Sequence, residues 1–94
     1  MKSYEAILIV KPDLSQDGLD KTLKQIKDIF AKNKVSSEDF KEMGKQRMAF
    51  PIKKFKEGVY YLVNFDMDPA AITTIKRSFN LNETILRTLI ISKG

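Results

Sequence analysis

Val59-Tyr60-Tyr61-Leu62-Val63-Asn64-Phe65, followed closely by Asp68-Pro69, is the stretch on which the fold turns. Its β-branched and aromatic residues suit a pleated strand better than any other segment of the chain. Side chains alternate along a strand, so Val59, Tyr61, Val63 and Phe65 share one face and Tyr60, Leu62 and Asn64 the other. Asp68-Pro69 then opens a helix, with aspartate as N-cap and proline at the first helical position. Ile72, Ile75 and Phe79 give that helix its buried stripe, Asn80 and Asn82 end it, and Ile85 to Ile91 reads as a final strand.

The N-terminal half repeats the plan. Tyr4 to Val10 is short, apolar and β-branched, and Lys11-Pro12-Asp13 stops it. Tyr4, Ala6, Leu8 and Val10 fall on one face, Glu5, Ile7 and Ile9 on the other, so apolar residues lie on both sides and the strand is central. Asp13 and Ser15 offer N-caps to a helix whose Leu19, Leu23, Ile26 and Phe30 make one amphipathic stripe; Lys21, Lys24 and Lys27 line its solvated side. Asn33 is the expected left-handed residue at its end. Val35 to Phe50, rich in charge, reads as an edge strand with a bulge at Gly44 and a stop at Pro51, leaving Ile52 to Glu57 as the hairpin connection.

The order is strand, helix, strand, strand, helix, strand. Each strand-helix-strand unit crosses over right-handed and leaves room for a strand between its own two. Two interleaved units predict an α+β fold over residues 1–94, a single ferredoxin-like split β-α-β plait (βαββαβ): a four-stranded antiparallel sheet with both helices on one face. The other face is left open. Alternation places on it Glu5, Ile7 and Ile9, then Tyr60, Leu62 and Asn64, then Arg87, Leu89 and Ile91, an apolar surface of the kind that marks partner sites.

Charge singles out Gly44 to Gly58. Between Lys41 and Lys56 stand six basic residues (Lys41, Lys45, Arg47, Lys53, Lys54, Lys56) against Glu42 alone, an excess equal to the +5 of the whole chain. Met48, Phe50, Ile52 and Phe55 are interleaved with them, as suits an ordered hairpin that presents cations to a polyanion. The chain has no cysteine and no histidine, which removes disulfides, thiol nucleophiles, the usual zinc ligands and the imidazole base. No clustered carboxylate pair suggests a metal or a catalytic dyad, so neither a cofactor nor a small-molecule substrate is expected. Glu5 interrupts what a signal peptide would need as an apolar run, and no stretch approaches membrane-spanning length, so the expected location is the cytoplasm, away from membrane.

The residues resemble those of the bacterial small-subunit ribosomal protein six family along essentially the whole chain. The carriers are Tyr4-Glu5 opening the first strand, Pro12 closing it, and the block Gly44-Lys45-Gln46-Arg47-Met48-Ala49-Phe50-Pro51-Ile52. Lys53-Lys54, Gly58 with its aromatic strand, and Leu86-Arg87 follow in register. The resemblance implies a non-catalytic constituent of the ribosome that binds small-subunit ribosomal RNA in the central domain, as a heterodimer with small-subunit ribosomal protein eighteen. By the same resemblance Lys2, Tyr4 and Arg87 are expected RNA contacts, and Lys45, Arg47, Lys53 and Lys54 are expected to touch RNA or the partner protein. Tyr4 and Tyr60 are candidates to stack on unpaired bases. Several family members carry a longer acidic tail, whereas this sequence ends at Ser92-Lys93-Gly94, so no tail-dependent contact is carried over.

Two rivals share the plait. An RNA-recognition-motif module reads single-stranded RNA on its open face, but its third-strand signature is met only at Tyr60, Val63 and Phe65 and missed at Val59, Tyr61 and Leu62. A small plait enzyme of the acylphosphatase kind needs a phosphate-cradling glycine loop, and Lys11-Pro12-Asp13-Leu14 has no glycine.

Overall fold

A computed structural model describes residues 2–35 and 37–93. The elements are β1 (Lys2–Val10), α1 (Gln16–Lys32), β2 (Ser37–Ile52), β3 (Phe55–Met67), a single 3-10 turn (Pro69–Ala71), α2 (Ile72–Asn80) and β4 (Ile85–Ser92). The strands form one antiparallel sheet in the order β2-β3-β1-β4, with β1 and β3 central and β2 at an edge. This is the ferredoxin-like plait, with the interleaving expected from two right-handed crossovers.

Helix ends follow their side chains. Ser15 accepts a hydrogen bond from the Gly18 N–H at 3.1 Å, and Asp68 accepts one from the Ala70 N–H at 3.0 Å. The C-terminus of α1 departs from expectation. Asn33 keeps a negative φ and Lys34 takes the left-handed position, φ 56°. The Val35 N–H reaches the Phe30 carbonyl at 3.2 Å and the Lys34 N–H reaches that of Ala31 at 3.3 Å, the paired bonds of a Schellman cap. Val35 therefore belongs to the helix cap and not to β2, while Ser36, also expected in that strand, lies outside the described residues. A lysine is a poor occupant of a left-handed position. Lys34→Gly is expected to raise stability by about 1 kcal/mol, read as a higher urea midpoint at unchanged slope.

The core lies between the helices and one face of the sheet. Ala6, Leu8 and Val10 of β1, and Val63, Phe65 and Met67 of β3, are fully or almost fully buried there against Ile26, Phe30, Ile75 and Phe79. Phe30 is the hub: its ring lies 4.9 Å from Phe65, 5.5 Å from Phe79 and 5.8 Å from Phe40, centroid to centroid. Burial pushes the Tyr61 phenol above its ordinary 10.0, with the charges of Glu42 and Asp20 adding to the effect. At the start of β4 the buried Thr22 hydroxyl sits 2.9 Å from the Gly18 carbonyl and 3.2 Å from the Thr84 hydroxyl. Thr84 donates to Asn82 Oδ1 at 2.6 Å, and its carbonyl accepts from the Lys11 N–H, tying the turn before β4 to α1 and β1.

The β2–β3 hairpin corrects the sequence reading. Pro51 does not end β2, and the connection is two residues long, not six: Ile52 pairs with Phe55 across Lys53-Lys54. Both turn lysines have positive φ, 49° and 71°, as a type I′ turn demands and as lysine seldom provides. The register jumps between Arg47 and Ile52, so β2 bows outward over Met48 to Pro51. Proline is tolerated there because a bulge on an edge strand needs no donor from it. The expected irregularity at Gly44 is present, with φ 81° and a register shift beside it.

Because β1 stops at Val10, opposite Val59, the pairs from Gln46–Gly58 to Ile52–Phe55 continue past the sheet as a two-stranded arm. Gly58 stands where the arm leaves. A Cβ on it would lie 2.3 Å from Ile9 Cγ2, a branch too stiff to swing away. Gly58→Ala is expected to cost about 1–3 kcal/mol in urea unfolding. The double variant with Ile9→Ala should lose less than the sum of the two single changes, since the clash is then gone.

Candidate nucleic-acid interface

The register arranges the open face in rows across the sheet. Asp39, Asn64, Glu5 and Ile91 form one, Lys41, Leu62, Ile7 and Leu89 the next, and Tyr60, Ile9 and Arg87 the row nearest the arm. The face assignment made from alternation holds at all these positions on β1, β3 and β4. Leu89 and Ile91 are 42% and 47% exposed, and no described element covers them. The face is polarised along the strands. Asp39, Glu5 and Asp66, whose carboxylate accepts from the Ser3 hydroxyl, mark one end, and Arg87 with the basic arm marks the other.

Tertiary packing changes the arm end. Met48, from the bulge, folds over the sheet and is buried with Ile9 and Leu86, with Ile7, Ile52, Phe55 and Tyr60 packed around them. A small second core thus sits on the face expected to be open, and it anchors the arm. Beside it lies a depression of about 200 Å³ lined by Ile9, Met48, Ala49, Phe50, Ile52, Tyr60 and Arg87. Phe50 projects at its edge, 80% exposed. The Lys11 ammonium stands 6.0 Å from the Phe55 ring centroid, a cation–π approach that adds another positive charge to this end.

The structure brings only part of the expected set together. Lys53 and Lys54 form the exposed tip of the arm, and Tyr60 and Arg87 face each other across Ile9 on the open face; Lys45, opposite Val59 at the end of the sheet, and Arg47, opposite Glu57 at the base of the arm, are exposed but in register with the helix-side face. Arg47 lies opposite Glu57, which offsets its charge. Lys2 is exposed at the far end of β1, seven residues from Ile9, or about 23 Å along a strand. Tyr4 is 6% exposed on the helix face with its ring stacked on Phe65 at 5.6 Å, so that ring has no free side to offer a base. Two residues of the arm end are not among the contacts expected from the sequence: Lys11, which is 44 positions from its aromatic partner, and Phe50, read there only as an interleaved hydrophobe, whose exposure no local pattern announces. Among the described residues no group of three or more acidic side chains is placed to hold a metal ion, and no helix is long and apolar enough to cross a membrane.

Comparison with known proteins identifies the family and matches the fold. A family model described as "Ribosomal protein S6" matches residues 3–92. The chain is 36% identical over 94 residues to the small ribosomal subunit protein bS6 of Synechococcus sp. (strain JA-2-3B'a(2-13)), covering 99% of this chain and 98% of that protein. It is 31% identical to the bS6 of Desulforamulus reducens, covering 100% and 99%. Among solved structures, the 30S ribosomal protein S6 from Thermotoga maritima superposes with a TM-score of 0.86 over 98% of this chain and 87% of the other; at 22% identity that likeness speaks to the fold. Matched from end to end by family and relatives alike, the chain belongs to the ribosomal protein S6 family and is a structural, non-enzymatic component of the small ribosomal subunit in the cytoplasm.

Proposed function

We propose that this protein binds small-subunit ribosomal RNA in the central domain of the particle, together with small-subunit ribosomal protein eighteen as its heterodimer partner. The observation that carries the reading is the polarity of the open face, acidic at one end, apolar across Leu62, Ile7 and Leu89 in the middle row with Lys41 at its edge, and cationic at the arm. Phosphate is repelled by Asp39 and Glu5 and attracted to Lys53, Lys54 and Arg87, so RNA lies at the arm end. The apolar rows through Ile7, Leu62 and Leu89 suit a protein surface, and a basic partner gains from the acidic end. Lys2, in register with Met67 on the helix-side face of β1, is proposed as a second, separate RNA contact that stands off the acidic end of the open face. The middle rows carry aliphatic residues where a recognition-motif module needs aromatic platforms, which disfavours that rival.

The test is binding to a central-domain fragment of small-subunit ribosomal RNA across a salt titration, with and without protein eighteen. Tight binding only with the partner, weakening steeply as salt rises, is the expected result. Binding that ignores the partner and follows short single-stranded sequence would favour the rival module. Absence of RNA binding in both arms would overturn the proposal.

A further inference from the structure

We propose that the depression between the arm bulge and β4 is a seat for one unpaired nucleobase of the RNA, held between Phe50 and Tyr60 with Arg87 at its rim. This deepens the RNA reading above and rests on it. The floor is apolar, made by Ile9, Met48 and Ile52. The depression, about 200 Å³, has room for a single heterocycle and far too little for a duplex. Phe50 is a large ring left 80% exposed on β2, and every base has a π-face to lay against it. Arg87 is exposed and opposite Ile9 in the register, so its planar guanidinium stacks on a base or forks to its edge, as an ammonium cannot.

Charge decides between a base and an apolar side chain of a protein partner. The approach to the depression is cationic, with Arg87 on its rim and the Lys53-Lys54 tip on the same arm, while the acidic residues of the face sit at the other end. A nucleotide brings the phosphate this surroundings lacks, whereas a basic protein is turned away. The seat is also preformed, because Met48 is 8% exposed in the second core and fixes the bulge that carries Phe50.

The test uses Phe50→Ala and measures two affinities, for protein eighteen alone and for the central-domain RNA fragment in the partner's presence. Phe50→Ala is expected to leave partner affinity unchanged and to weaken RNA binding about 5- to 150-fold, the range for losing one stacked base, with the salt slope unaltered. In the wild type, adding RNA to the complex with the partner should shift the ring proton resonances of Phe50 and Tyr60, and partner addition alone should not. Equal loss in both affinities, or ring shifts caused by the partner alone, would assign the depression to protein contact and overturn the seat. Wild-type RNA affinity in the variant would overturn it while leaving the ribosomal RNA reading intact. Failure of the wild type to bind RNA with its partner would sink both.

Discussion

Phe30→Ala is expected to lose about 3–5 kcal/mol of folding stability, the range for truncating a fully buried phenylalanine. Phe30 has no exposed surface and its ring contacts Phe40, Phe65 and Phe79, so the cavity opens at the junction of α1, α2 and the sheet. Those neighbours are themselves rings held by other contacts, and rigid walls collapse poorly into a void. Small domains hold only about 5–15 kcal/mol in total, so a large part of the stability goes with this side chain. Phe50→Ala removes the same ring from a position 80% exposed and is expected to change stability by no more than about 0.5 kcal/mol. Urea unfolding of the two variants side by side is the check. Comparable losses would mean that the aromatic cluster around Phe30 does not organise the core.

The combined variant Lys45→Ala, Arg47→Ala, Lys53→Ala, Lys54→Ala is expected to lose the most RNA affinity. If each cation neutralises one phosphate, the slope of log K against log salt becomes shallower by about 3, from about 0.7–0.9 per contact. The corresponding loss near physiological salt is about 100- to 1000-fold, and it vanishes toward 1 M salt, where screening shortens to about 3 Å. Arg47 faces Glu57 and is expected to contribute least of the four. Removing the solvated cations of α1 instead, Lys21→Ala, Lys24→Ala and Lys27→Ala, should have a much smaller effect, since those cations are spread along a helix and not gathered at the β2–β3 hairpin. Equal losses from the two variants would show that total charge matters and the position of the arm does not. All four arm side chains are exposed, so the fold should survive their loss.

The arm tip carries a local conflict. Type I′ turns favour Asn-Gly, yet Lys53-Lys54 occupies both left-handed positions. Backbone strain of this kind persists where the surrounding structure holds it and where the side chains serve another purpose. The Ile52–Phe55 pair and the Met48 anchor hold the turn, and the phosphate contact proposed above is the purpose.

Patterns that repeat over a few residues were legible in the sequence alone. The alternation in Tyr4 to Val10 and Val59 to Phe65 assigned each residue to its face, and the stripes through Phe30 and Phe79 assigned the helices to the core side. From these the plait, the open face and the charge excess of the arm all followed, because each depends on spacing along the chain. What only the tertiary structure decided depends on residues far apart. Pro51 was read as a stop because nothing local reveals the bulge that accommodates it. Met48 was one more interleaved hydrophobe until the bow of β2 laid it on Ile9 and Leu86. Alternation already sets Tyr4 on the helix side and Tyr60 on the open face, but only packing shows the Tyr4 ring stacked on Phe65 and the Tyr60 ring across Ile9 from Arg87. Lys2 and Arg87, both expected RNA contacts, are separated along the sheet by the register of β1 with its neighbours. A sequence records which residues can share a face; the register and the bulges decide which of them meet.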